Sequence, residues 1–173
     1  MFQPLKTAVL AGAAALAACS PTLDWREVRV DGAGLKAVFP CRPDQETRQV
    51  AMASRAVSVQ ALACRAGGST FAVMAADIGG PAAAGAVLKQ WQAASLAGMR
   101  SEGARTTLFH PRGALELPES VQLVAAGRRP DGSRVQSQAA YFARGAHAYQ
   151  AVIYTSELKP EVADPFFAGI RFE

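Results

Sequence analysis

The stretch AVSVQALACRAGGSTFAVMAAD (56–77) decides the fold of this chain. On each side of Gly67-Gly68, apolar residues alternate with small or polar ones, as they do in strands that bury one face. A pair of glycines also adopts the positive φ angles that a two-residue hairpin turn requires. We therefore expect antiparallel strands over 56–66 and 69–77, joined by a tight turn.

Upstream of this hairpin, the strand pattern recurs three times. Residues 25–30 (WREVRV) alternate apolar and charged side chains, and residues 35–39 (LKAVF) resume the pattern after a glycine-containing break. Residues 47–54 (TRQVAMAS) have the composition of a strand that pairs with the first strand of the hairpin. These three segments predict further strands.

Downstream of the hairpin, the period changes to that of a helix. Apolar residues, including Val87 and Trp91, fall on one helical face there. Proline is favoured in the first turn of a helix and glycine just after its end, which suits Pro81 and Gly103. We expect one long helix from Pro81 to about Arg100.

The rest of the chain has the pattern of strands followed by a short helix. Strand patterns occupy residues 104–110, 120–128, 134–143 and 148–156. Turn residues at Asp131-Gly132 and at Gly145 separate the last three. The C-terminal segment LKPEVADPFFAGIRF predicts a short helix that packs its aromatic residues on the sheet. This order predicts an α+β fold, an antiparallel β-sheet on which one long and one short terminal helix pack.

The opening residues, MFQPLKTAVLAGAAALAACS, have the layout of an export signal. Lys6 precedes an apolar run that ends at Ala18, and this run is shorter than the roughly twenty residues that a spanning helix needs. At its end, Leu16-Ala17-Ala18-Cys19 resembles the lipobox of bacterial lipoproteins. An ordinary secretory signal with an incidental cysteine is the alternative.

The lipobox resemblance implies a processed and acylated protein. In that family a peptidase removes the signal, here residues 1–18, and the exposed cysteine, here Cys19, carries a diacylglyceryl thioether and an N-acyl chain such as palmitate. Several chains hold a protein firmly on a membrane, whereas one binds marginally. Ser20, in place of aspartate, implies the periplasmic face of the outer membrane rather than the inner membrane. Residues 19–23 are then a short lipidated tether and residues 24–173 a single α+β domain.

A second resemblance covers residues 35–173. The segment LKAVFPCRP (35–43), the hairpins, the amphipathic helix and the closing FFAGIRF (166–172) look like small PsbP-like domains. That group shares an α/β/α sandwich with the Ran-binding nucleotide-release factor and with many bacterial lipoproteins. The resemblance implies binding or assembly rather than catalysis.

Composition narrows the class of ligand. Removal of residues 1–18 from the 173 leaves 155, which suffices for one domain with a hydrophobic core. Because Lys6 leaves with the signal, 17 basic and 14 acidic residues remain, and the net charge is +3. This charge is too mild to imply nucleic-acid binding.

The chain contains three cysteines. Once Cys19 is assigned to lipid, Cys41 and Cys64 remain, and in an oxidising periplasm two cysteines most simply form a disulfide. Such a bridge would stabilise the fold by about 3 kcal/mol. A pair of free, reactive thiols is the alternative, although neither cysteine lies in a Cys-x-x-Cys motif.

Motifs of catalytic and metal sites are missing from the sequence. His110 and His147 are the only histidines, and each is more simply a strand-edge or turn residue than a general base or a metal ligand. The sequence has no Gly-x-Ser-x-Gly elbow, no Walker-type phosphate loop and no zinc signature. We therefore expect no catalytic residue, no cofactor and no metal.

Arginines at one predicted turn are the strongest candidate for a binding site. Arg128, Arg129 and Arg134 flank the turn in GRRPDGSR (127–134) and would gather three guanidinium groups. Guanidinium groups bind phosphate and carboxylate groups well. A hairpin tip that charge merely keeps soluble is the alternative.

Together these features predict a lipid-anchored periplasmic protein that acts as a non-catalytic envelope accessory. It would bind the membrane through Cys19 and a protein or anionic glycolipid partner through the sheet or the arginines. The sequence leaves the oligomeric state open. The alternative is a periplasmic enzyme, either thiol-based through Cys41 and Cys64 or a hydrolase that uses His110 or His147.

Overall fold

The computed structural model describes residues 22–52 and 55–173. The strands are β1 (Arg26–Val30), β2 (Leu35–Phe39), β3 (Asp44–Met52), β4 (Arg55–Ala66), β5 (Ser69–Asp77), β6 (Ala104–Leu108), β7 (Val121–Arg128), β8 (Arg134–Arg144), β9 (His147–Thr155) and β10 (Arg171–Phe172). The helices are α1 (Ala84–Gly98), which follows a 3₁₀ turn at Pro81–Ala83, and α2 (Pro160–Ala168). The expected signal peptide, 1–18, and Cys19 lie outside the described residues, as does the end of the strand expected over 47–54.

The strands form two antiparallel sheets. The larger sheet has seven strands in the order β3-β4-β5-β9-β8-β7-β6, and the smaller has three in the order β1-β2-β10. The hairpin predicted around Gly67-Gly68 is present as β4 and β5, with Ala66 opposite Ser69. Four other adjacent pairs in the large sheet are also antiparallel, so it is built mainly from sequential hairpins.

The predicted fold class is wrong. Half of the described residues lie in strands and 18% in helices, so the protein is β-rich rather than α+β. Two antiparallel sheets replace the expected PsbP-like sandwich of one sheet under a long and a short helix. The cause is long-range pairing, because β1 and β2 do not extend the large sheet. Instead β2 pairs with β10, where Leu35 lies opposite Phe172 from the other end of the chain.

The small sheet and α2 cover one face of the large sheet, and α1 covers the other. On the first face, four phenylalanines are fully buried: Phe39, Phe71, Phe142 and Phe166. Phe39 and Phe71 pack edge-to-face on Phe166, and Phe142 stacks on Tyr149. On the second face, Trp91 of α1 packs with apolar side chains of β4, β7, β8 and β9. The large sheet is therefore buried on both faces over its central strands.

Each helix begins at or soon after a proline. Helix α1 follows Pro81 and buries the apolar face expected from the helical period, including Val87 and Trp91. Helix α2 has Pro160 in its first turn and buries Phe166 and Phe167. Pro165 lies inside α2 without dividing it. No helix within the described ranges is both long and apolar enough to cross a bilayer.

A disulfide connects Cys41 to Cys64, and this prediction is confirmed. The S–S distance is 2.00 Å, the Cα atoms are 6.1 Å apart, and the two residues are 23 positions apart in sequence. Cys41 follows β2 of the small sheet and Cys64 lies in β4 of the large sheet. The bond therefore fastens the two sheets together.

Candidate functional site

The β7–β8 hairpin holds the predicted arginines at one end of the large sheet. Arg128 and Arg134 lie opposite each other as the last and first residues of their strands. The tip closes through an N–H of Arg129 that donates to the Ser133 carbonyl at 2.9 Å, and Gly132 has a φ of +84°. A side-chain-bearing residue would be strained at such a φ, which explains a glycine at this position.

The guanidinium groups of this tip use only some of their N–H donors within the protein. Nη1 of Arg128 donates to the Gly132 carbonyl at 3.1 Å, and Nη1 of Arg129 donates to the Arg134 carbonyl at 3.2 Å. A guanidinium has five N–H donors, so most of them remain for a ligand. Among residues 22–52 and 55–173, none of these three arginines is within ion-pair distance of a carboxylate. The three predicted site residues are therefore brought together, and none of them forms an ion pair within the described residues.

Asp131 is the acidic residue of the tip. Its Oδ1 accepts the backbone N–H of Ser133 at 2.9 Å. Hydrogen bonds from the Ser133 side chain and backbone lower the pKa of Asp131, and the charge of Arg129 adds to the effect. The carboxylate therefore stays ionised at neutral pH and shapes the turn, while it offsets only part of the local positive charge.

A pocket of about 450 Å³ opens between this hairpin and the last turns of α1. Arg128 and Arg129 lie at one wall and Met99, just after α1, at another. The remaining lining residues are small, apolar or hydroxyl-bearing: Thr70, Ala94, Ser95, Gly98, Pro130, Val135 and Tyr154. The pocket thus combines two guanidinium groups with a largely apolar lining, which suits an anionic group carried on a less polar body.

A close backbone contact sets the distance between helix and hairpin. The N–H of Arg128 donates to the Met99 carbonyl at 2.7 Å. A Cβ on Gly127 would lie only 2.3 Å from that same carbonyl oxygen. Glycine is therefore required at residue 127 for the end of α1 to lie directly on β7.

A buried hydrogen-bond network fixes α1 on the sheet beside the pocket. Nε2 of Gln150 donates to the Ser95 hydroxyl at 3.0 Å and to the Tyr141 hydroxyl at 2.8 Å. Burial raises the pKa of Tyr141, and burial together with the proximity of Tyr141 raises the pKa of Tyr154 to about 12. Both phenols are neutral at physiological pH, so the inner wall carries no charge that opposes the arginines or an anion.

A fourth arginine adjoins the hairpin on its other side. Arg100 follows α1 with a φ of +50° and lines a second cavity, of about 460 Å³, with Glu102, Arg128 and Arg134. We name Arg100, Arg128, Arg129 and Arg134 together the arginine end. Sequence reasoning missed Arg100, because only the packing of α1 against β7 brings it to the hairpin.

The first described residues lie at the same end of the large sheet. The side chains of Thr22 and Leu23 flank Gly67, since a Cβ there would be 3.7 and 3.4 Å from them. Thr70, three residues after Gly67, lines the pocket with Arg128. Only β9 separates β5 from β8, so the nearest strands of the two hairpins lie two strand spacings, roughly 10 Å, apart.

The other predicted candidates lie elsewhere. His110 is exposed after β6, and His147 begins β9 with its ring 6.1 Å from that of Tyr149. The sulfur atoms of Cys41 and Cys64 are bonded to each other. Across the described part of the chain, no three His, Cys, Asp or Glu side chains cluster as metal ligands do.

A second, more polar groove of about 620 Å³ lies on the opposite face of the sheet, between β6–β8 and the start of α2. The amides of Gln122 and Gln138 line it together with Arg105, Lys159 and Asp164. Because side chains of both charge signs face this groove, it favours no charge class of ligand. At the arginine end, in contrast, four arginines stand against Glu102 and Asp131, an excess of positive charge that favours anions.

The comparisons with known proteins give no identity. No protein-family model matches the chain, and no curated protein matches its sequence. The function must therefore be argued from the residues of the chain itself.

Proposed function

We propose that this protein is a lipoprotein of the bacterial envelope, acylated on Cys19 and held at the periplasmic face of the outer membrane. It acts there without catalysis, as an accessory that binds a protein or an anionic glycolipid partner. Recognition uses the arginine end, where exposed guanidinium groups border a pocket with a largely apolar lining.

One observation carries this proposal: the described domain begins beside the turn at Gly67, at the same end of the sheet as the arginines. Thr22 follows Cys19 by three residues, a length that reaches about 10 Å when extended. A lipid on Cys19 would therefore hold the arginine end close to the membrane surface. Partners that carry phosphate or carboxylate groups at that surface suit guanidinium groups.

The first experiment measures the intact mass of protein extracted from the envelope, after thiol alkylation without reductant. We expect the loss of residues 1–18, the added mass of acyl chains and no alkylation of Cys41 or Cys64. The Cys19→Ser variant, as control, gains no acyl mass and leaves the membrane fraction. If wild-type protein lacks acyl mass, Cys19 is not an anchor and the proposal fails.

The second experiment tests recognition by cross-linking in intact envelopes followed by purification. We expect Arg128→Glu/Arg129→Glu to lose most of the cross-linked partner, because charge reversal repels an anionic group. Lys89→Glu/Arg112→Glu changes the net charge equally at exposed positions outside the arginine end and should retain it. Turnover of a substrate that is lost on His110→Ala or His147→Ala would instead establish the enzyme alternative.

A further inference from the structure

We propose that the arginine end rests on anionic phospholipid headgroups of the same leaflet that holds the acyl chains, and takes one headgroup phosphate into the 450 Å³ pocket. This inference rests on the proposed lipid anchor and adds a second point of membrane contact. It also fixes the orientation of the domain, with the β4–β5 and β7–β8 turns toward the bilayer and the opposite end of the large sheet away from it.

The first support is the balance of charge at this end. Arg100, Arg128 and Arg134 are exposed and Arg129 is half-buried, whereas the acids that border them are Glu102 and Asp131. Basic side chains near an anionic membrane surface each raise the affinity, by roughly fivefold per residue. Four arginines against two acids leave a net attraction to such a surface.

The second support is the shape of the pocket. Its arginine wall offers free guanidinium N–H donors, and guanidinium groups bind phosphate oxygens in a bidentate manner. The adjoining Met99 and Pro130 are apolar, so the glycerol and upper acyl region of a lipid finds a compatible surface. A soluble carboxylate or phosphate would use the arginines and leave the apolar lining unused.

The third support is proximity. The pocket and the first described residue lie at one end of the sheet, and Cys19 is three residues from Thr22. Tethering a module near its ligand makes the second contact effectively intramolecular, so even a weak headgroup site is occupied. Because the acyl chains keep the domain beside the membrane, anionic phospholipid headgroups are always within its reach.

The test compares two positions on one helix of the full lipidated protein. Ala86 and Ala97 are both exposed on α1 and lie eleven residues apart, about 16 Å along the axis. Each is changed to cysteine and labelled with a fluorophore, while Cys41 and Cys64 stay bonded. The protein is reconstituted in vesicles of phosphatidylcholine, either alone or with about 30% phosphatidylglycerol, which gives the surface a moderate negative charge. A lipid with a nitroxide on its headgroup serves as the quencher.

We expect the label at residue 97 to be quenched several-fold more than the label at residue 86 in anionic vesicles. The difference should shrink severalfold in neutral vesicles and at high salt, because salt screens surface charge within a Debye length. Arg128→Glu/Arg129→Glu should abolish it, and the matched Lys89→Glu/Arg112→Glu should not.

Two results would overturn the inference. Equal quenching at the two positions in anionic vesicles, with acyl mass present on Cys19, would leave the lipoprotein proposal intact and remove the headgroup contact. Loss of a cross-linked protein partner in Arg128→Glu/Arg129→Glu, with quenching at residue 97 unchanged, would assign the arginines to a protein. Absence of acyl mass is a separate result that removes the proposed function itself.

Discussion

Basic side chains on the outer face of the three-stranded sheet form ion pairs with carboxylates, whereas those of the arginine end do not. On the small sheet, Nζ of Lys36 lies 3.6 Å from Glu27 and 3.3 Å from Glu173, and Nε of Arg29 lies 3.2 Å from Glu173. Arg171 also pairs with Glu27. At the arginine end, by comparison, no described carboxylate is within ion-pair distance of any of the four guanidinium groups.

This contrast separates charges that serve the fold from charges that are available to a ligand. The paired residues join β1, β2 and β10, so their interactions are satisfied within the protein. Of the unpaired arginines, Arg128 and Arg129 line the pocket and donate to backbone carbonyls of their own hairpin. Substitutions in the first region should therefore alter stability, and substitutions in the second should alter binding.

The largest expected effect on stability comes from the disulfide that joins the two sheets. Cys41→Ala/Cys64→Ala should lower the free energy of unfolding by about 3 kcal/mol, because the unfolded chain loses a cross-link between residues 23 positions apart. Urea denaturation measures the change, and reduced wild-type protein should show the same midpoint. Quenching at residue 97 should persist under native conditions. A loss below about 1 kcal/mol would mean that the bond does not fasten the small sheet.

A pH-dependent loss of stability should follow from Tyr149, which also joins the sheets. Its hydroxyl donates to the Ala33 carbonyl at 2.6 Å, and burial raises its pKa to about 12, although the charge of Arg144 acts in the opposite direction. An unfolded tyrosine titrates near pH 10, so the unfolded state loses its proton first. Stability should be constant below about pH 10 and fall between about pH 10 and 12, by roughly 1–3 kcal/mol.

Denaturation at a series of pH values measures this decline. Tyr149→Phe should make it shallower, because the group that titrates differently in the two states is removed. Tyr154, whose pKa is raised to about 12 by burial, contributes in the same direction and should leave a residual slope. An identical slope in wild type and Tyr149→Phe would contradict the assignment.

The smallest effects test the comparison directly. Lys36→Met should cost about 0.2–1 kcal/mol, because its two ion pairs are at the surface, and the cost should fall with added salt. Arg128→Met should change the free energy of unfolding by no more than about 0.5 kcal/mol. Chemical denaturation at low and high salt measures both. If Arg128→Met is the more destabilising variant, the distinction between paired and ligand-directed charge is wrong.

Local structure could be predicted from the sequence because its signals are local. Glycine pairs and Asp-Gly sequences select tight turns, and the β4–β5 and β7–β8 hairpins occur where Gly67-Gly68 and Asp131-Gly132 indicate them. The change of period at Pro81 likewise marks the helix now observed over Ala84–Gly98. The three arginines predicted to gather at one turn depend only on this local chemistry.

Sheet membership could not be predicted, and the fold class was wrong for that reason. The alternation in β2 shows which side chains are buried, but not that Lys36 lies opposite Arg171 rather than against β3. The pocket also depends on long-range packing, because its walls come from α1 and from a hairpin about thirty residues later in the chain. Met99 gives no sign in sequence that it accepts a hydrogen bond from Arg128.

The close contact at Gly127 restricts which residues the protein can accept at this position. Since a methyl group there would lie 2.3 Å from the Met99 carbonyl oxygen, even alanine forces the end of α1 away from β7. Such a shift would widen the pocket and move Arg100 with the end of α1, while Arg128, Arg129 and Arg134 stay on the hairpin. In a library of variants selected for membrane-dependent function, residue 127 would then remain glycine although it carries no ligand-binding atom of its own.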